Sequence, residues 1–445
     1  MSLSYDEIVS KSREYTFVSW AAQADWRPIP AVRAEGIYFW DANGRKYIDW
    51  SSMLVNVNIG HGNKKVIRAI QQQAEQLTYV KPNITSEPRA VLGEMLAEVA
   101  PGLQKTLFTL GGGDANENAM KMARLMTGRQ KILARYRAFH GGTFGAMMAG
   151  GDPRRLANEP GVPWVVHFGD PYYYRSPLYK GRTRDEGDAA LVEEIEELIQ
   201  VEGPQYIAAI MLEGVNGTSG VIQGGPVFWD GVQHLCNKYN ILLIIDEVMS
   251  GFGRTGKWFG YQHYPNVKPD MITMAKGITS GYVPLGGVMA SPKVSAYFDD
   301  HVLVGGLTYS AHTLACAAGI ACLQVIKEEK LVENAAKMGQ VLEEGLKKLA
   351  EKHPVIGDIR GYGLLNCIEL VKNRKTREPL SPFNQPFSEP MKKINASLAK
   401  NNLSTFVRWN LIFNCPPLII TEEQIKEGLE IIDEALKEAD PYYEE

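Results

Sequence analysis

Between residues 105 and 290, short uninterrupted apolar runs alternate with longer stretches of helical periodicity, and this alternation restricts the fold more than any other feature. The runs Thr106–Thr109, Lys131–Arg135, Trp164–Phe168, Ile207–Leu212, Ile241–Asp246, Met271–Met274 and Gly286–Ala290 lack the every-second-residue polarity of a half-exposed strand. Strands of that composition are buried on both faces. Helical patterns at Asn116–Met126, Ala189–Val201 and Phe228–Tyr239 lie between them. The alternation predicts an α/β fold, with a mixed, mostly parallel central sheet flanked by helices.

After about Thr313 the pattern changes. Helical stretches at Leu314–Glu328, Leu331–Lys352, Ser388–Lys400 and Glu422–Lys437 are interrupted by β-type runs at Leu364–Leu370 and Leu411–Asn414. Near the start, Gly36–Ile48 reads as a hairpin turning at Asn43-Gly44. It does not belong to the parallel pattern. A chain of 445 residues is too long for one minimal core. The expected division is a large domain over 56–320 and a smaller α+β domain built from 1–55 and 321–445.

Charge and composition exclude several functions. Lys and Arg total 47 against 51 Asp and Glu, for a net charge of −4, with no basic stripe for nucleic acid. No apolar run approaches the ~20 residues that span a bilayer. The first residues, MSLSYDEIVSKSREY, lack the apolar core of a signal peptide. Five cysteines without a C-x-x-C pair fit free thiols in a reducing compartment. A cytoplasmic protein is expected.

Three segments could carry chemistry. ILLIIDEV (Ile241–Val248) is an apolar strand ending in Asp246 and Glu247. Open α/β sheets bind ligands beyond the carboxyl ends of their strands, where an acid can meet a cation or a protonated ring. MITMAKGI (Met271–Ile278) ends a second strand with Lys276, and a lysine in apolar surroundings loses its proton readily and becomes a nucleophile. In LGGGDANENAMKMAR (Leu110–Arg124) three glycines follow a short strand and open a helix, whose first backbone N–H groups can bind a phosphate. Each has a plainer explanation taken alone: a strand-end cap, a lysine reaching solvent, and a turn capped by Asp114 or Asn116. Pyridoxal chemistry requires the two strand-end groups together, a lysine for the aldehyde and an acid for the ring nitrogen. No P-loop, G-x-S-x-G elbow or metal-ligand histidine spacing is present, and GFGRTG (Gly251–Gly256) lacks the context of a dinucleotide fingerprint.

These segments, with EGIYFWDANGRKYIDW (Glu35–Trp50), FHGGT (Phe139–Thr143), LEGVNGTSG (Leu212–Gly220), DEVMSGFGRTG (Asp246–Gly256), AKGITSGYVPLGG (Ala275–Gly287), TYSAHT (Thr308–Thr313) and CPPLIIT (Cys415–Thr421), resemble the class III (omega-amino acid:pyruvate) aminotransferases of fold type I. The resemblance covers nearly the whole chain. It implies pyridoxal 5'-phosphate bound to Lys276, which also shuttles the substrate proton, with Asp246 keeping the pyridine nitrogen protonated. It implies Val248 and Phe139 on the two ring faces, with His140 and Glu213 also near the cofactor. Gly112 and Gly113 form the phosphate cup. Thr308 reaches the phosphate of the neighbouring subunit, so a homodimer with shared sites is expected, with a tetramer as a further possibility. Val55, Tyr79, Val80 and Arg408 fall near the substrate, Arg408 as the arginine for a substrate carboxylate. The cup here is Gly111-Gly112-Gly113 where the family pattern is Ser-Gly-Ser, so hydroxyl contacts are lost.

The expected reaction moves an amino group from an omega-amino acid or amine to a keto acid, pyruvate by the likeness of TSGYVPLGG, in two half-reactions. A 4-aminobutyrate- or ornithine-type enzyme using 2-oxoglutarate is the alternative within the class. A fold type I racemase or mutase is the alternative outside it.

Overall fold

The computed structural model describes residues 3–445. The predicted strands form one seven-stranded sheet: β1 (Lys105–Thr109), β2 (Lys131–Arg135), β3 (Val165–Phe168), β4 (Ile207–Glu213), β5 (Leu242–Asp246), β6 (Met271–Met274) and β7 (Gly286–Ala290). Their order is β1-β7-β6-β5-β4-β2-β3. Only β7 runs antiparallel to its neighbours; the remaining contacts are parallel. Every residue of β4, β5, β6 and β7 is buried, which is why those runs read as apolar without alternation. The chain passes outward from β2 to β3 but back across the sheet from β4 to β5. Between β2 and β4 the winding therefore reverses, which opens a crevice at the carboxyl ends of the strands.

The helices between strands begin earlier than their apolar periodicity. Gly112–Thr127 starts four residues before the expected Asn116, because the glycine turn is itself the first turn of the helix. Arg184–Glu202 starts at a capping box in which Thr183 and Glu186 satisfy each other's backbone.

The hairpin turns where expected, with Gly44 at φ +81° and the Asp41 side chain accepting from the N–H groups of Asn43 and Arg45. Tyr38–Asp41 and Lys46–Asp49 are its strands. Lys46–Asp49 pairs in parallel with Leu403–Ser404, tying the first residues to the last quarter of the chain. A third sheet joins Ile356–Tyr362, Leu365–Asn373, Leu411–Asn414 and Val407–Arg408. Ile356–Tyr362 escapes the sequence reading because its glycines and charges leave it only half-buried. The helices Lys64–Gln76 and Glu87–Val99 lie outside the sequence expectation too, and both pack on Thr313–Glu328.

Candidate active site

The carboxyl ends of β1, β5 and β6, with the segments that follow β2 and β4, enclose a cavity of about 440 Å³. Asp246, Lys276, Glu213, Phe139, His140 and Val248 line it, as do all three glycines of the cup.

Asp246 is the last residue of β5 and is buried. Its Oδ2 accepts from Asn116 Nδ2 at 2.7 Å and lies 2.8 Å from His140 Nδ1, while Oδ1 accepts from the Val248 N–H at 2.9 Å. A carboxylate offers about four acceptor positions. Three are used, and capacity for one donor from the cavity remains. Strand register sets Glu213 of β4 directly beside Asp246. Glu213 accepts from Asn216 Nδ2, lies 3.7 Å from Arg135, and is pushed up to about 7 by burial. Glu247 belongs to the protein interior instead. Its carboxylate accepts from Ser250 Oγ at 2.6 Å and from the N–H groups of Gly260 and Tyr261 at 2.7 Å each.

Lys276 follows β6 by two residues and holds φ +46°, the left-handed region, which turns its side chain out of the strand and into the cavity wall. Burial lowers its ammonium pKa, against the pull of Asp246 and Glu213. The amine is therefore easier to free than an exposed lysine's.

At the cup, Gly111 caps the helix Gly112–Thr127 with no side-chain bond to its first N–H groups. A Cβ on Gly112 would stand 2.9 Å from both methyls of Val248, so this turn accepts no side chain without displacing the Val248 wall. Phe139 is half-buried, with the Arg154 guanidinium 3.8 Å over its ring. These features fit pyridoxal phosphate: uncapped backbone donors for the phosphate, Val248 and Phe139 in the same cavity lining for the ring, a spare acceptor on Asp246 for the ring nitrogen, and an amine of lowered pKa for the aldehyde.

Other expected positions lie elsewhere. Val55 does not line the cavity. Ser52, Met53 and Val55 hold positive φ, and this tight turn buries Val55 in a cluster with Trp409 and Phe413. Its neighbours Leu54 and Asn56 face the cavity instead, so Val55 does not set the cavity width. Thr308 is exposed and outside this subunit's cavity. Tyr79 donates to the Thr308 carbonyl at 2.8 Å and its ring meets Tyr309 edge-on, with Val80 beside it, half-buried. Arg408 pairs with Asp152 at 2.8 Å and donates to the carbonyl of the cavity residue Thr218 at 3.3 Å.

Sequence reasoning misses three side chains here. Asn116, read as a cap, is fully buried under Asp246. Arg154 and Asp152 lie in GGDPRR, a segment without periodicity, and only the fold brings them to Phe139 and Arg408.

Comparison with known proteins places this arrangement in a family. Residues 20–436 match the Aminotransferase class-III family, and the chain belongs to it. It is 36% identical to the taurine–pyruvate aminotransferase of Bilophila wadsworthia, over 97% of this chain and 98% of the relative. Among solved structures it superposes on the taurine:2-oxoglutarate aminotransferase of Bifidobacterium kashiwanohense, in complex with PLP and glutamate, with TM-score 0.95, 44% identity and 99% coverage of each chain. The (S)-enantioselective omega-transaminase of Thermomicrobium roseum gives TM-score 0.92 at 37% identity, over 98% of this chain and 99% of that one. The protein is a fold type I, pyridoxal-phosphate-dependent aminotransferase.

Proposed function

We propose that this aminotransferase takes its amino group from a short omega-amino acid with an anionic far end, of the taurine or β-alanine kind, and passes it to a keto acid. The observation that carries this reading is the pair of guanidinium groups directly behind residues that line the Lys276 cavity, Arg154 against Phe139 and Arg408 against the Thr218 carbonyl. Guanidinium forks suit carboxylate and sulfonate oxygens. An uncharged amine has no use for them.

Pyridoxal phosphate supplies the electron sink that stabilises the substrate carbanion. The chain does the rest. Asp246, fixed by Asn116 and His140, holds a proton at the ring nitrogen. Lys276 carries the cofactor, then takes and returns the substrate proton. Glu213 keeps a second acid beside Asp246. The N–H groups of Gly112 and Gly113 receive the phosphate, and Val248 and Phe139 confine the ring.

Pyruvate is the first reading for the acceptor, in keeping with the TSGYVPLGG segment and the taurine–pyruvate relative. 2-Oxoglutarate is the second. The relative at 44% identity carries that acceptor in its name. The exposed Thr308 loop, with Val302, Val304 and Tyr309 all more than half exposed, supports a homodimer in which Thr308 completes the partner's phosphate site. Five free, buried cysteines support a cytoplasmic location. The smaller domain is taken as 1–55 with 321–445, around a large domain at 56–320.

The test is a donor screen of taurine, β-alanine and propylamine against both acceptors. Acid-tipped donors are expected to exceed propylamine in kcat/KM by about tenfold or more, the scale of one ion pair. Equal or better turnover of propylamine would overturn the reading.

A further inference from the structure

One carboxylate organises both arginines that back the cavity wall, Arg154 behind Phe139 and Arg408 behind Thr218. Asp152 is buried, and its Oδ1 accepts from the Arg154 N–H at 3.0 Å and from Arg154 Nε at 2.7 Å. Its Oδ2 accepts from Arg154 Nη2 at 3.2 Å and pairs with Arg408 Nη1 at 2.8 Å. The acceptor positions of this carboxylate are therefore filled by one backbone N–H and by two guanidinium groups that lie far apart in the chain. The two arginines are anchored on their outer sides as well. Arg154 stacks on Phe139 at 3.8 Å and lies 5.6 Å from the centre of the exposed Trp20 ring. Arg408 stacks on Trp409 at 3.9 Å. Two guanidinium groups this close repel each other, and Asp152 is the group that holds them together.

The charges sum to one net positive: two arginines and one aspartate. Of the acids that line the cavity, Glu213 is engaged by Asn216 and Arg135, and Asp246 by Asn116, His140 and the Val248 N–H; neither pairs with Arg154 or Arg408. We infer that Asp152 is a specificity-determining residue, which sets the wall of the Lys276 cavity to receive substrates with a single distal negative charge. It does so by consuming one of the two cationic charges and by keeping Arg408 against the wall. A substrate with two carboxylates must draw Arg408 away from Asp152 to pair with both arginines, whereas a monoanion needs only the surplus charge. The inference rests on the reading of Arg154 and Arg408 as the anion-binding groups.

The experiment measures dead-end inhibitors on the pyridoxal-phosphate holoenzyme. Propionate carries one negative charge and succinate two. Their inhibition constants are read for the natural chain, Asp152→Asn and Arg408→Gln, with each variant's visible cofactor absorbance and melting temperature recorded. Asp152→Asn makes the wall doubly positive. Succinate should then tighten relative to propionate by about tenfold, the effect of one unscreened charge at this range. Arg408→Gln changes the balance in the other direction, and the ratio should shift towards propionate. A ratio that stays constant in both variants, or moves the same way in both, overturns the inference. So does uniform weakening of both inhibitors in Asp152→Asn at normal cofactor loading, because that is what a merely structural residue would give. The ratio does not depend on which donor the enzyme uses. A failed donor screen with a shifted ratio would sink the proposed donor class alone, and a successful screen with a fixed ratio would sink the role of Asp152 alone.

Discussion

Asp246 owes its geometry to a side chain on the neighbouring helix. Asn116 donates to Asp246 Oδ2 at 2.7 Å and to the His140 carbonyl at 2.6 Å, and it accepts from Thr273 Oγ1 at 2.5 Å. One buried amide thus links β6, the glycine-cup helix and the His140 segment. Asn116→Leu removes a hydrogen bond to a buried charge, an effect of about 1.5–3 kcal/mol. Cofactor affinity is expected to fall by roughly ten- to a hundredfold, measured by equilibrium binding of pyridoxal phosphate to the apo-protein. Glu213 gives a pH prediction. Its folded pKa, pushed up to about 7 from an ordinary 4.5, means that the folded state holds the proton longer than the unfolded chain. Apo-protein stability must therefore fall as pH rises from about 4.5 to about 7, by an amount on the order of 3 kcal/mol. Glu213→Gln should flatten that part of the pH–stability curve in urea titrations. An unchanged slope would show that Glu213 titrates normally.

Among the elements, the glycine cup and the strand ends were differently legible. Buried parallel strands announce themselves because both faces need apolar side chains, so β4, β5 and β6 could be read almost to the residue, and with them Asp246 and Lys276. The cup was legible as three glycines that open a helix, but the apolar periodicity begins only at Asn116, since glycine carries no periodicity. Arg154, Asp152 and the inward turn of Val55 were not legible at all. They depend on loops whose conformation is fixed by distant partners: Asp152 by Arg408, and Val55 by Trp409 and Phe413. The close approach of Gly112 to Val248 makes a prediction at this scale. Gly112→Ala should weaken cofactor binding, because the new methyl meets Val248 at 2.9 Å. Adding Val248→Ala should recover part of the loss, a coupling that a double-mutant cycle reads directly. Strict additivity would contradict the contact.

For the whole molecule, the claim with most consequence is that Thr308 works in the partner's site. A single subunit leaves Thr308 and the Tyr79 contact outside its own cavity. If sites are shared, Lys276→Ala and Thr308→Ala subunits complement each other. Refolding them together puts half of the molecules into mixed dimers, each with one natural site of two, so about a quarter of natural activity should return. Recovery no greater than the average of the separate variants would place Thr308 outside the partner's site.

The central claim, that Lys276 carries the cofactor, can be tested without any substrate. Borohydride reduction of the holoenzyme followed by peptide mass spectrometry should find the pyridoxyl group on the peptide containing Lys276 and on no other lysine, with no adduct in Lys276→Ala. A stable adduct at a different lysine, or none in a fully loaded protein, would contradict the account.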